Sequence, residues 1–116
     1  GRMTALPTTT CYQGDTLSLD FLLLDDGGAP EDLSNMTLRW AMSSRDEISV
    51  PILEKSESSG IVIVGPTEGR CRVTISAGDL SEAGTYLHEI EGTSESGATY
   101  TYGQGLLIVK PTIYPS

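Results

Sequence analysis

Few side chains in this 116-residue chain have types that support chemistry: one histidine (His88), two cysteines (Cys11 and Cys71), and the carboxylates Asp25, Asp26, Glu31 and Asp32 within DDGGAPED. A lone imidazole acts as a base only beside a positioned Ser or Cys nucleophile, and nothing around His88 supplies one. Zinc takes four nitrogen or sulfur ligands in a structural site, and one histidine with two cysteines falls short. The four carboxylates carry oxygens that suit Ca²⁺, but their spacing fits no EF-hand loop; turn chemistry is the simpler reading, and cation binding at 25–32 stays open. A glycosidase needs two carboxylates facing each other across a cleft, which no pattern here sets up. Gly103-Gln104-Gly105 lacks the third glycine and following helix of a dinucleotide fingerprint and reads as a strand bulge. No catalytic, cofactor-binding or metal residue is expected, and no cofactor; the chain reads as a non-enzyme.

Charge narrows the partners. Sixteen acidic and seven basic side chains leave a net charge of −9, and the densest basic pair is Arg70 and Arg72. Nucleic acid and anionic lipid are bound by clustered Lys and Arg that release counterions, so neither is expected as a partner. No apolar run approaches the roughly 20 residues that span a bilayer, and no signal-peptide pattern opens the chain. Gly1-Arg2 before Met3 reads as an expression-tag scar, with synthesis in the cytoplasm. Two cysteines are too few for a disulfide framework, and Cys71 lies in phase with Val73 and Ile75, as a thiol packed like a small hydrophobe does.

These groups need elements to hold them. In DTLSLDFLL, Leu17, Leu19, Phe21 and Leu23 share one face while Ser18 and Asp20 share the other, the mark of a half-buried strand. MTLRWAM repeats the pattern with Leu38, Trp40 and Met42. VPILEKS is a short strand that Pro51 places at an edge or a strand start. GIVIVG, GRCRVTIS, TYLHEIEG and TYTYGQGLLIVK follow, separated by Gly-, Pro-, Asp- and Ser-rich turns, and AGDLSEAG is a connection. Seven to eight short strands with frequent turns and no helical period predict an all-β antiparallel sandwich. The domain is expected over residues 10–111, with a leader at 1–9 and a tail at 112–116.

LSEAGTYLHEIEG refines this. In immunoglobulin-like sandwiches a tyrosine near the start of the sixth strand sends its hydroxyl back to upstream backbone, and a buried tryptophan sits on the third. Tyr86 and Trp40 fill those places. His88 stands where a secreted domain carries a cysteine, so the sandwich has no structural disulfide, and apolar packing supplies the cohesion. Trp40, Tyr86 and His88 are thus structural residues.

Three strands carry more apolar residues than one buried face needs: FLLLD adds Leu22 and Leu24, GIVIVG is apolar throughout, and GLLIVK has a second apolar face. The surplus is either covered by the domain's own loops and termini or forms a subunit contact. Leu22, Leu24, Leu107 and Val109 are the candidate interface residues, and a homo-oligomer is one form such a contact takes.

With YQGDT, DDGGAPEDLSNMTLRW, ILEKSESSGIVIV, GRCRVTISAGDLSEAGTYLHEIEG and GLLIVKP in this order, the chain resembles small proteins encoded among phage and prophage tail genes. It is more distantly similar to the N-terminal immunoglobulin-like domain of phage baseplate upper proteins. The resemblance spans residues 10 to 111. It implies a virion structural protein associated with tail, baseplate or fibre, acting through contacts with tail or baseplate proteins. The alternative from another class is a carbohydrate- or calcium-binding β-sandwich module.

Overall fold

The structure, a computed structural model, describes residues 2–114; Gly1 of the expected scar and residues 115–116 of the expected tail lie outside the described residues. Strands β1 (Thr4–Ala5), β2 (Thr9–Tyr12), β3 (Leu17–Leu22), β4 (Thr37–Ser44) and β5 (Pro51–Ser56) are followed by β6 (Ile61–Gly65) and a 3₁₀ turn (Pro66–Glu68). Strands β7 (Arg70–Ile75), β8 (Gly84–Thr93) and β9 (Thr99–Lys110) complete the chain. AGDLSEAG is a connection. The stretch expected as a leader carries β1 and the start of β2.

One sheet has the order β1-β9-β8-β4-β5, with β2 also lying along β9; the other is β3-β7-β6. In immunoglobulin lettering these are G-F-C-C′ and B-E-D, two layers closed over one core. The chain is an all-β, immunoglobulin-like antiparallel sandwich, and Cys11 and Cys71 are free thiols. Strand A of the lettered fold pairs beside B, whereas here β1 and β2 both run parallel to β9, with Thr4 opposite Gly103 and Thr9 opposite Leu107. Among the described residues, no strand therefore pairs with the outer edge of β3.

The alternation read from the sequence becomes the core. Leu19, Phe21 and Leu23 from the first long strand, Leu38, Trp40 and Met42 from β4, and Tyr86, His88 and Ile90 from β8 are all buried. Pro51 opens β5, an edge strand where a missing N–H costs no ladder bond. The Tyr86 hydroxyl donates to the Glu82 carbonyl at 2.7 Å, pinning the turn that leads into β8.

Two glycine sites are required by contact. Gly69, at φ +68°, ends the 3₁₀ turn, and a Cβ there would lie 2.4 Å from the Leu23 carbonyl oxygen. Gly103 and Gly105 form the seat for Leu6, which a Cβ on either would meet at 2.6–2.7 Å. A register shift does fall nearby, where Ile90 faces Gly103 but Glu91 faces Thr101. The glycines themselves are there because Leu6 packs flat against β9, with its N–H donating to the Gln104 carbonyl at 2.9 Å.

Candidate functional site

His88 is the buried polar centre of the sandwich, 3% exposed. It lies opposite Met42 on one side and Gly105 on the other, on the inward face of β8. The Trp40 Nε1–H donates to His88 Nδ1 at 3.0 Å. An indole nitrogen only donates, so Nδ1 must be the unprotonated nitrogen and Nε2 carries the hydrogen. The phenyl ring of Phe21 tilts over the imidazole at 6.3 Å between centroids. Burial pushes the imidazole pKa down to about 4. The indole acts in the same direction, because a proton on Nδ1 would confront the Trp40 N–H donor. Nε2 is buried and has no hydrogen-bond partner among the described residues.

Among the described residues, no nucleophile is hydrogen-bonded to it. Cys11 lies opposite Val109 and His88 opposite Gly105, four residues apart along β9, or roughly 13 Å of strand rise. Burial raises the Cys71 thiol to about 12, so the nucleophilic thiolate does not form near neutral pH.

The carboxylates at 25–32 do not converge. Asp25 Oδ1 accepts from the Gly27 and Ala29 amides at 2.9 and 3.0 Å, an Asx-type turn. Asp32 Oδ1 accepts from Ser34 N–H at 3.0 Å, and the Ser34 hydroxyl together with that amide holds its pKa below the usual carboxylate value. Glu31 Oε2 accepts from Arg2 Nε at 2.9 Å and from the Tyr102 hydroxyl at 2.8 Å, while Asp26 pairs with Arg2 at 3.2 Å. Arg2 also lies 3.8 Å over the Tyr100 ring. Among the described residues, no group of three or more His, Cys, Asp or Glu side chains could hold a metal ion.

A shallow hollow of about 240 Å³ on the outer face of the larger sheet brings Glu89 and Glu91 near Arg39, Glu54 and Ile48. Glu91 pairs with Arg39, and Glu89 accepts from the Gln104 amide at 3.0 Å. The two glutamates sit side by side on one strand and do not oppose each other across a cleft.

The four candidate interface residues separate. Leu22 is 48% exposed on the outer face of the smaller sheet. Leu24 is half-buried and bridges to Pro30. Leu107 and Val109 are not on a surface: at 0% and 2% exposure they belong to the core. The register decides this, since Leu107 lies opposite Tyr86, and cross-strand partners share a face. The outward residues of that run are Leu106 and Ile108, both half-buried. The larger exposed contribution comes from β6, where Val62 and Val64 are 57% and 53% exposed. Ile48, Val50 and Ile52 are also exposed, around the β4–β5 connection. GIVIVG already signalled the first group by lacking any polar position, whereas the three around β4–β5 are spaced through a turn with no readable period.

A second hollow, about 480 Å³, lies between β2 and β3 with His88 among its lining residues. No helix among the described residues is long and apolar enough to cross a membrane. No family model and no curated protein matches the chain. Among solved structures, murine CRIg aligns over 97% of this chain and 93% of its own, at 9% identity and a TM-score of 0.44. A family 123 glycoside hydrolase from Clostridium perfringens aligns over 96% of this chain but 24% of its own, at 13% identity and a TM-score of 0.45. Neither likeness carries an activity, ligand or partner to this chain.

Proposed function

We propose that this chain is a non-enzymatic structural module of a phage or prophage particle, associated with tail, baseplate or fibre and acting through protein–protein contacts. The observation that carries the contact reading is the outer face of β3-β7-β6. Val62 and Val64 are more than half exposed on β6, Leu22 is nearly so on β3, and Arg70 and Arg72 run between them. Apolar side chains flanking a basic row, on a sheet whose core is already complete, suit a partner surface better than water. The phage setting is supported by the resemblance over residues 10 to 111.

Two measurements test the two halves. Mass spectra of purified particles should contain the polypeptide in stoichiometric amount, and its absence would overturn the virion assignment. The double substitution Val62→Lys, Val64→Lys should abolish association with the partner while shifting stability by only about 0.5 kcal/mol, as exposed positions do. Undiminished association would remove this face from the interface.

The rival carbohydrate- or calcium-binding reading finds no support in the 25–32 loop, whose carboxylates are occupied by Arg2, Tyr102 and backbone amides. Saturable heat on calorimetric titration with Ca²⁺ would reinstate it.

A further inference from the structure

The hollow between β2 and β3 is lined by every residue from 17 to 21 and by Thr9, Thr10 and Cys11. A cavity beneath a sheet face touches alternate residues of a strand, because side chains alternate. One that touches five in succession runs along the strand's edge. Both flanking edges are open: β3 ends its sheet, and β2 is paired on its β9 side only. Leu23 N–H donates to the Gly69 carbonyl at 2.8 Å, continuing the β3–β7 register. Alternation along β3 then turns the N–H and C=O groups of Ser18, Asp20 and Leu22 toward the open edge, the first two of these residues lining the slot. Six residues of β3 offer about 20 Å of edge, without the proline, lysine or bulge that blunts exposed edges.

Two further observations indicate what fits. His88 is a polar side chain more than nine-tenths buried that lines the slot. Its Nδ1 is engaged by Trp40 and its Nε2–H is shielded from solvent, so the ring gives the slot a wall for apolar side chains and no reachable donor. Charge is one-sided: the lining includes Asp15 and Asp20 and no lysine or arginine. Asp20 meets Arg72 at 2.7 Å from the β7 side, and Asp15 accepts from the Tyr12 amide at 2.8 Å, so each keeps lone pairs for a cation.

We propose that this slot takes up an extended segment of a partner protein, added as a strand to the open edge of β3, with apolar side chains inward and basic side chains outward. The proposal rests on the protein-contact reading and names its geometry. Main-chain bonds to residues 18, 20 and 22 supply affinity, and the inward positions supply specificity.

The test is a titration of the ¹⁵N-labelled full chain with acetyl-Lys-Leu-Lys-Asn-Lys-Leu-Lys-amide, followed by NMR. The control is the same peptide with serine for leucine. The expected result is saturable movement of the Ser18, Asp20 and Leu22 amides, seen with the leucine peptide only. Thr10→Trp fills the slot from an exposed position on β2, and Ser18→Pro removes one outward N–H; each should weaken binding by about tenfold. Binding that both variants leave unchanged, shifts spread equally by the two peptides, or no shifts at all would overturn the slot. If the slot fails while Val62→Lys, Val64→Lys still abolishes partner association, the contact reading stands and only its geometry falls. Movement of the same amides with protein concentration alone would put a second copy of this chain in the slot, and would overturn a separate partner.

Discussion

Trp40→Ala is expected to destabilise the domain by about 4 kcal/mol, within the range for emptying a buried aromatic site. A domain of this size has roughly 5–15 kcal/mol in total, so the variant should sit near or below the folding threshold. Two effects add. The indole is 1% exposed and packed between the sheets, so its removal leaves a cavity that flanking strands cannot close without losing register. Its N–H is also the partner of His88 Nδ1, and a buried acceptor left without a donor costs roughly 1–3 kcal/mol more. Trp40→Phe separates the two, since it keeps most of the volume and loses only the donor; about 2 kcal/mol is expected. Urea midpoints give both numbers. If Trp40→Ala stayed within 1 kcal/mol of the parent chain, the indole would not be the keystone of this core.

The elements that the sequence made readable are those where one face is wet. In β3, Ser18 and Asp20 interrupt the leucines, and in β8, Glu89 and Glu91 interrupt Tyr86, His88 and Ile90, so period two is visible and the buried face follows. The end of β9 has no such interruption. Leu106 to Val109 is apolar at every position, and only the pairing of Leu107 with Tyr86 decides which residues go inward. That pairing is a long-range fact with no local signature, which is why the sequence alone offers Leu107 and Val109 as interface candidates although both lie in the core. The N-terminal strands were hidden for a related reason. Thr4–Ala5 and Thr9–Tyr12 are short, flank Pro7 and bury little, and their order comes from parallel bonds to β9, about a hundred residues away. The slot inherits this illegibility, because it exists only where those strands leave β3 for the other sheet. The buried imidazole was different. His88 stood in phase with Tyr86 and Ile90 and could be placed inward, but its tautomer needed the indole across the β4–β8 pair.

Burial of that imidazole makes the fold sensitive to acid in a defined window. Above pH 6.5 the imidazole is neutral in both the folded and the unfolded chain, and its contribution to stability does not change with pH. Between 6.5 and about 4 the unfolded chain takes up a proton that the folded chain refuses. The unfolded state binds more protons there, so stability falls as pH falls. Below about 4 both states are protonated and the loss is complete, at roughly 3 kcal/mol for a gap of this size. Carboxylates held low in the fold, such as Asp32 beside Ser34, lose their contribution only at more acidic pH, so the decline above pH 4.5 belongs to His88. His88→Leu supplies the control: with no imidazole to protonate and no Nε2–H to strand, its urea midpoint should be flat from pH 7 to 4.5 while the parent declines. Trp40→Phe removes the N–H that opposes a proton on Nδ1, so the lower end of the window should rise above about pH 4 while its upper end, set by the unfolded chain, stays at 6.5. A parent curve as flat as that of His88→Leu would mean the ring is already charged or solvated, and the indole–imidazole bond at the centre of the sandwich would have to be abandoned.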